Sequence, residues 1–282
     1  AIMSPGEFCY FDSYQDAPDS QPEAIGGYLP LSKVYSFNPV PDTLSADKVQ
    51  LVYGVQANLF TEYIPTPEHA EMMIYPRILA LAEVAWSAPS VKNYDDFHVR
   101  ALKEVEALKA EGYHPFELKN EIGNRPGADQ PVQHLAVGKK VAYGPDAAYY
   151  PGYSAGGDSA LVDGVIGGWT YGDRRWQGFI DKKRMDVTID MEKETEIHSV
   201  GADFMQVCGP EVFMPSEVII SVSNDGKEFT ELKRMEHKVV KDDKVTFINF
   251  GWEGNAKARY IRYQASSGEF GGFLFTDEIV VK

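Results

Sequence analysis

Hydrophobic residues in the first part of the chain alternate between strand-like runs and helical periodicity. Candidate strands cover residues 2–11 and 52–59, where apolar residues follow one another closely. One helix is predicted over residues 67–86, after the N-cap Thr66, because apolar residues recur there at helical spacing. A second helix is predicted to begin after Asn93. This alternation predicts α/β structure.

From about residue 137 onward, apolar and polar residues alternate with the period of a β-strand. Asn224-Asp225-Gly226 indicates a hairpin, because glycine adopts positive φ readily. Regularly spaced short strands favour a β-sandwich. We therefore predict an α/β domain at 1–118, a linker at 119–136 and an all-β domain at 137–282. The short strands are expected at 186–190, 218–223, 245–248 and 259–263.

Both candidate strands of the first domain end in an aromatic residue and a carboxylate. Tyr10 and Asp12 close the first strand, and Phe60 and Glu62 close the second. Barrel enzymes bind their ligands at the rim where parallel strands end, so these side chains are candidate ligand contacts. The alternative is two ordinary strand ends with a buried tyrosine, a turn aspartate and a solvent-facing glutamate. The aromatic residue and carboxylate recur at the ends of two neighbouring strands, and this repetition favours the functional interpretation.

The charge of the chain limits its partners. Its 282 residues carry a formal net charge of −15, so nucleic acid and anionic membranes would be repelled. No run reaches the ~18 apolar residues of a membrane helix, and no membrane span is predicted. A neutral sugar suits this charge, and the 12% aromatic residues would stack on sugar rings or fill the core. Cys9 and Cys208 are predicted to be buried thiols rather than a disulfide.

Four segments of the first domain, in this order and spacing, resemble the last two βα units of a glycoside hydrolase family 20 β-N-acetylhexosaminidase. That family has a (β/α)8 TIM barrel, so the resemblance implies the C-terminal portion of such a barrel. The segments are Tyr10-Phe11-Asp12, Tyr35-Ser36-Phe37-Asn38-Pro39, Gly54-Val55-Gln56-Ala57-Asn58-Leu59-Phe60-Thr61-Glu62 and residues 76–86.

The resemblance implies a role for each strand-end residue. Tyr10 would be a catalytic contact that donates to the carbonyl oxygen of the substrate's 2-acetamido group. Asp12 and Glu62 would accept hydrogen bonds from the 4- and 6-hydroxyls of the terminal sugar. Phe60 stands where the family usually has a tryptophan that walls the acetamido pocket, so the wall is kept and the indole N–H is lost. No cofactor is implied for catalysis.

The family's reaction needs residues that this chain does not match. In substrate-assisted retaining hydrolysis, the acetamido oxygen attacks while an Asp-Glu pair on an earlier strand orients it and protonates the leaving oxygen. No segment corresponds to that strand, so we expect this chain to be inactive alone. The intact enzyme, of which this chain would be the C-terminal portion, would remove terminal N-acetylhexosamine from glycans and would be secreted or periplasmic. Glu83 is predicted to make a structural hydrogen bond or salt bridge. Two barrel units alone expose apolar edges, so self-association is expected.

The second domain resembles the discoidin, or coagulation factor 5/8 type C, β-sandwich (a jelly roll). Such domains often bind a structural calcium ion through an early Asp and a late Glu, and Asp163 and Glu278 fall at those positions. The alternative is a turn aspartate and an exposed glutamate, because 164–168 offers no hydroxyl ligand. The resemblance rests on residues 160–164, 175–179, 221–229, 258–262 and 277–279.

A second candidate ligand site in this domain comprises Trp169, Tyr171 and Arg174, beside a glycine-rich loop. One interpretation is a stacking platform with an arginine for sugar hydroxyls. The favoured alternative is packing, because large aromatic residues serve packing first. The rival to the hydrolase hypothesis is therefore a non-catalytic carbohydrate-binding or structural module.

Overall fold

The computed structural model describes residues 1–145, 147–180 and 185–282. The chain divides into two compact units, Ala1–Asn124 and Arg125–Lys282. Within the described ranges, no helix is both long and apolar enough to cross a membrane.

The first unit combines a pair of parallel strands with five helices. Strand β1 pairs with β2 in parallel, with Ile2 opposite Gly54 and Met3 opposite Val55. This parallel pairing and the helices that follow it are α/β structure, as the alternating pattern predicts. The elements are β1 (Ile2–Met3), α1 (Gly6–Cys9), α2 (Leu31–Tyr35), β2 (Gly54–Val55), α3 (Pro67–Ile74), α4 (Arg77–Trp86) and α5 (Tyr94–Ala110).

The predicted first strand is interrupted, which corrects the sequence-based boundary. After β1 the chain forms the single turn α1, in which Phe8 N and Cys9 N both donate to Pro5 O. Proline fixes φ near the helical value and cannot donate to a ladder, so it favours a helix start over a continued strand. Strand-like pairing resumes at Tyr10, which forms a parallel bridge with Asn58.

The predicted helix over 67–86 is two helices, because Pro76 separates α3 from α4. Proline lacks an N–H and its ring clashes with the preceding turn, so it breaks a helix interior. Both predicted N-caps are confirmed. Thr66 Oγ1 accepts from His69 N at 3.2 Å, and Asn93 Oδ1 accepts from Asp96 N at 3.1 Å.

The predicted structural role of Glu83 is confirmed. Its carboxylate accepts from Tyr35 Oη at 2.8 Å and from Arg100 Nη1 at 2.7 Å, which ties α4 to α2 and α5. These bonds border the hydrophobic core of this unit. The core includes Cys9, Phe11, Val34, Ala80, Leu81, Phe97, Ala101 and Val105.

Glu121 makes the stability of the first unit depend on pH. Burial, with the charge of Asp16 adding to it, raises the pKa of Glu121 to about 7. The folded state then keeps a proton that the unfolded state has lost, so the free energy of unfolding falls as pH rises from about 4.3 to about 7. We expect the free energy of unfolding, measured in urea, to fall by about 2 kcal/mol less between pH 5 and pH 7.5 in Glu121→Gln than in the unmutated chain. Glu104→Gln, on the exposed side of α5, should keep it.

The second unit is all β, which confirms the predicted class. Its strands form one antiparallel ladder in the order β4-β9-β5-β8-β6-β7, and β3 pairs with β5. The strands are β3 (Lys140–Tyr143), β4 (Gln177–Ile180), β5 (Met185–Gln206), β6 (Pro215–Ser223), β7 (Thr230–Glu236), β8 (Thr246–Ser267) and β9 (Phe273–Val281).

This ladder folds over to enclose one core. The first part of β5 lies between β3 and β8, and its second part lies between β9 and β8, with register shifts in between. Phe204 of the second part stacks on Tyr263, which pairs with the first part, at 6.3 Å between ring centroids. Tyr263 Oη also donates to Phe250 O at 2.7 Å. The two parts of the ladder therefore face each other as layers of a sandwich.

The strands predicted at 245–248 and 259–263 are parts of one strand of 22 residues, β8. Its glycines resemble a turn in the sequence but lie inside the strand. A Cβ on Gly254 would come within 2.5 Å of the Trp252 ring, so glycine there makes room for the indole. The predicted hairpin joins β6 to β7 through residues 224–229, and Gly226 has φ 71°.

Residues 125–136 are tied to the second unit by backbone hydrogen bonds. Val132 N donates to Gly164 O at 2.8 Å, and Leu135 N donates to Val281 O at 2.9 Å. Ala136 is fully buried in the sandwich core. This stretch therefore continues the packing of the sandwich.

Candidate functional site

The structure brings together the four strand-end residues of the first unit. Tyr10 pairs with Asn58, and the ring of Phe60 lies 5.8 Å from the Tyr10 ring between centroids. Phe60 is 64% exposed and Glu62 is also exposed. Desolvation raises the pKa of Tyr10, and the nearby charges of Asp12 and Glu62 raise it further. The result is a phenol, an exposed ring and an exposed carboxylate at one rim.

Asp12 differs from its neighbours because it is only 3% exposed. Both of its carboxylate oxygens accept from Phe60 N, at 2.9 and 2.8 Å, and Oδ1 also accepts from Thr61 N at 2.8 Å. The Asp12 carboxylate thus binds backbone N–H groups of the turn that carries Phe60 and Glu62. Contact between Asp12 and a sugar hydroxyl stays a prediction.

Arg77, at the start of α4, is a site residue that sequence reasoning missed. Its side chain is fully buried, and burial lowers its pKa to about 9, while the charge of Asp12 opposes that shift. Its guanidinium lies 4.8 Å from the centroid of the Phe11 ring. The guanidinium donates to the carbonyl oxygens of Phe11, Ser13, Leu29 and Met73.

A signal for Arg77 was present in the sequence. Met73, Arg77 and Leu81 recur every four residues, so the arginine falls on the apolar stripe of the predicted helix. A charged residue on a buried stripe needs polar partners, and the structure supplies backbone carbonyls. The hydrogen bonds from Arg77 to these carbonyls hold the segment on either side of Asp12.

Asp163 and Glu278 lie together in the second unit, where burial raises the pKa of both. Glu278 Oε1 accepts from Gly164 N at 2.8 Å and faces His134 Nε2 at 2.7 Å. Glu278 Oε2 is buried without a partner, which fits a bound cation. Among the residues described, no group of three His, Cys, Asp or Glu could hold a metal. Backbone carbonyls would therefore have to supply most of the six to eight oxygens that calcium takes.

His134 is a further residue that sequence reasoning missed. Its side chain is fully buried against Glu278. No sequence pattern marks it, since its partner is 144 residues away.

The residues of the second candidate ligand site divide between two aromatic groups. Tyr171 stacks on Phe275 at 4.8 Å, whereas Trp169 meets Phe247 edge-on at 5.6 Å. Arg174 follows in the left-handed region, with φ 66°. Stacking on the buried Phe275 shows that Tyr171 contributes to packing.

A buried ion-pair network begins the second unit. Arg125 Nη1 donates to Asp277 Oδ2 and to Gly167 O, both at 2.7 Å, and Nη2 pairs with Asp203. The guanidinium lies 4.9 Å from the Trp176 ring. Trp176 is fully buried.

In comparisons with known proteins, each unit matches a different family model over part of its length. Residues 1–89 match the glycosyl hydrolase family 20 catalytic domain. Residues 146–279 match the F5/8 type C domain.

Two curated relatives are similar to part of the chain. The beta-hexosaminidase of Porphyromonas gingivalis is 48% identical over 97 residues, which are 34% of this chain and 12% of that protein. The beta-N-acetylhexosaminidase of Cellulomonas fimi is 33% identical over 104 residues, which are 37% of this chain and 21% of that protein. The chain thus spans less than a quarter of either relative's length.

Among solved structures, the chain is similar to CpGH89CBM32-5 from Clostridium perfringens, in complex with GalNAc-β-1,3-galactose. The identity is 18% and the TM-score 0.37, over 53% of this chain and 99% of that one.

Proposed function

We propose that this chain is the C-terminal region of an exo-β-N-acetylhexosaminidase, in which the first unit is the last part of a (β/α)8 barrel. The observation that carries the proposal is the convergence of Tyr10, Phe60 and Glu62 at one rim of a segment that matches the family 20 catalytic domain. The enzyme would act by substrate-assisted retaining hydrolysis on glycans with a terminal N-acetylhexosamine.

Each rim residue has a proposed role in binding that sugar. The Tyr10 hydroxyl, whose pKa is raised, stays protonated at neutral pH and can donate to the acetamido carbonyl. The exposed face of Phe60 offers an apolar wall to the acetamido methyl group or to the sugar ring. Glu62 is exposed and, as a carboxylate, accepts hydrogen bonds from sugar hydroxyls. We assign the proton donor for the leaving group to an upstream Asp-Glu pair.

The test uses the protein extended upstream through that pair, with 4-nitrophenyl N-acetyl-β-glucosaminide as the substrate. Glu62→Gln should lower kcat/KM about 100-fold, because a hydrogen bond to a charged group is lost. Glu106→Gln, at a surface pair with Lys109, should leave kcat/KM unchanged. The 282-residue chain alone should show no turnover. Turnover by that chain, or an unaffected Glu62→Gln enzyme, would contradict the assignment.

A second candidate function is carbohydrate binding by the second unit. Tyr150, Tyr153 and Tyr171 form an aromatic cluster with Phe273 and Phe275, and Tyr150 is 45% exposed. An exposed ring at the edge of such a cluster suits stacking on a sugar. Titration of the full chain with N-acetylgalactosamine would separate the two sites. Binding that survives Glu62→Gln and is lost in Tyr150→Ala supports the second unit as a binding module.

Calcium would be held by Asp163 and Glu278 in this unit. At a calcium concentration of 100 times Kd, bound calcium should raise the free energy of unfolding by about 2.7 kcal/mol. Asp163→Asn should abolish this gain, and Mg²⁺ should not replace calcium because it demands six ligands in tighter geometry. An unfolding midpoint that is the same in calcium and in EDTA would argue against the site.

Two further expectations concern the whole protein. Secretion or a periplasmic location is expected from the family. Self-association of the barrel portion is expected because apolar side chains of the first unit are exposed, including Ile2, Tyr53 and Trp86, the last at 90%. Sedimentation of the chain at two concentrations would test the association.

A further inference from the structure

The turn that carries the two rim side chains contains an unfavourable backbone conformation. Thr61 lies between Phe60 and Glu62 and has φ 65°, in the left-handed region. Its branched Cβ makes this region costly, and a β-branched residue there is an outlier. A relaxed Thr61 would turn the chain differently and would move Phe60 and Glu62 relative to Tyr10. Some interaction must therefore hold the residue in place.

Asp12 supplies that interaction. Its carboxylate binds the N–H groups of Phe60 and Thr61, over a separation of 48 and 49 residues, and so holds the two peptide units on either side of Phe60, the second of which leads into Thr61. Bonds to an ionised acceptor are stronger than neutral ones. Asp12 is 3% exposed, so water competes little for them. The carboxylate thus fixes the direction of both peptide units.

The Asp12 backbone is itself fixed. Arg77 donates to Phe11 O at 2.6 Å and to Ser13 O at 2.9 Å, the carbonyls on either side of Asp12. The positive charge of the buried Arg77 guanidinium also interacts favourably with the negative charge of the Asp12 carboxylate. Arg77, Asp12 and Thr61 therefore form a continuous path from α4 to the rim.

We propose that Asp12 is a positioning residue, which holds the peptide units that lead into Thr61, offsets the cost of its left-handed conformation and thereby sets Phe60 and Glu62 against Tyr10. This role differs from direct contact with a sugar hydroxyl, because Asp12 acts through the backbone of another segment. Its consequence for sugar binding rests on the proposed function. The positioning itself does not.

The experiment is a mutant cycle in the 282-residue chain with Asp12→Asn, Thr61→Gly and the double variant. Glycine adopts positive φ as readily as negative φ, so Thr61→Gly removes the strain that Asp12 has to offset. Asp12→Asn should speed hydrogen exchange of the Phe60 and Thr61 amides at least tenfold, because one acceptor oxygen becomes an NH2 group. Unchanged exchange at both amides would overturn the proposal.

Binding of N-acetylglucosamine, followed by NMR titration, distinguishes positioning from direct contact. Asp12→Asn should weaken binding at least tenfold, and Thr61→Gly alone should leave affinity within about twofold. The double variant should recover a substantial part of the loss, at least threefold. No recovery would mean that Asp12 acts on the sugar directly, which overturns the positioning role. If the unmutated chain does not bind the sugar, the proposed function fails, and hydrogen exchange alone decides the positioning role.

Asp16→Asn is the matched control. Asp16 is equally buried, and its carboxylate accepts from Ile122 N and Gly123 N at 2.8 Å each. Its replacement should speed hydrogen exchange at those two amides and leave the exchange of the Phe60 and Thr61 amides unchanged. The effect of Asp16→Asn should be the same with and without Thr61→Gly. If Asp12→Asn does not fold, Thr61→Gly is compared with Thr43→Gly at an exposed position outside the left-handed region. The unfolding midpoint should fall less for Thr61→Gly, and an equal or larger fall would overturn the strain on which the proposal depends.

Discussion

Replacing Arg125 with leucine should lower the free energy of unfolding of the second unit by about 3–5 kcal/mol, because it leaves a buried carboxylate without its cation. Asp277 is 1% exposed and pairs with Arg125 Nη1 at 2.7 Å. Burial raises the pKa of Asp277, and the guanidinium is the main group that lowers it. Leucine removes that compensation, the bond to Gly167 O and the cation that lies over the Trp176 ring.

Urea unfolding at pH 7.5, followed by hydrogen exchange at the amides of β5, would measure this loss. Arg234→Leu is the control, since Arg234 pairs with Glu217 and Glu231 on the strand surface. Exposed ion pairs contribute little, so its midpoint should hardly move. If Arg125→Leu and Arg234→Leu had equal effects, the buried network would contribute no more than a surface pair. Arg125→Leu combined with Asp277→Leu should recover part of the loss, because no buried charge is then left alone.

The features that sequence predicted correctly depend on neighbouring residues. Thr66 and Asn93 cap their helices through N–H groups three residues away, so a short segment specifies each cap. The strand-end residues Tyr10 and Phe60 lie next to each other, as the pattern of strand ends indicates, and their contact with a sugar stays a prediction. Pro76 also acts locally, and its break in the helix could have been read from the same rule.

The features that sequence missed depend on partners far along the chain. His134 meets Glu278 at a separation of 144 residues, and Arg77 meets Phe11 at 66. No periodicity encodes such pairs. The length of β8 was missed for a related reason: Gly251 and Gly254 indicate a turn locally, but they serve close packing inside a strand. Tertiary context overrides local preference at such positions.

The first unit should depend on Arg77 to a similar degree. Arg77→Leu leaves the buried carbonyl oxygens of Phe11, Ser13, Leu29 and Met73 without this donor, and Asp12 loses a buried cation with which it interacts. Each unsatisfied buried group costs about 1–3 kcal/mol, and such costs are not additive, so we expect a loss of about 3–5 kcal/mol. Hydrogen exchange resolved by residue is the suitable measurement, since amides of α4 should lose protection while those of β5 keep theirs.

Two further variants separate the charge of Arg77 from its shape. Arg77→Lys keeps the charge but gathers three donors on one nitrogen, which cannot reach carbonyls that lie on both sides of the planar guanidinium. We expect it to recover less than half of the loss. Arg100→Leu, at the surface pair with Glu83, should cost under about 1 kcal/mol. If Arg77→Lys were as stable as the unmutated chain, charge alone would suffice beside Asp12. A large loss of stability in Arg77→Lys would show that the planar guanidinium holds the segment 11–13. It would thereby also hold Asp12, which the rim turn requires.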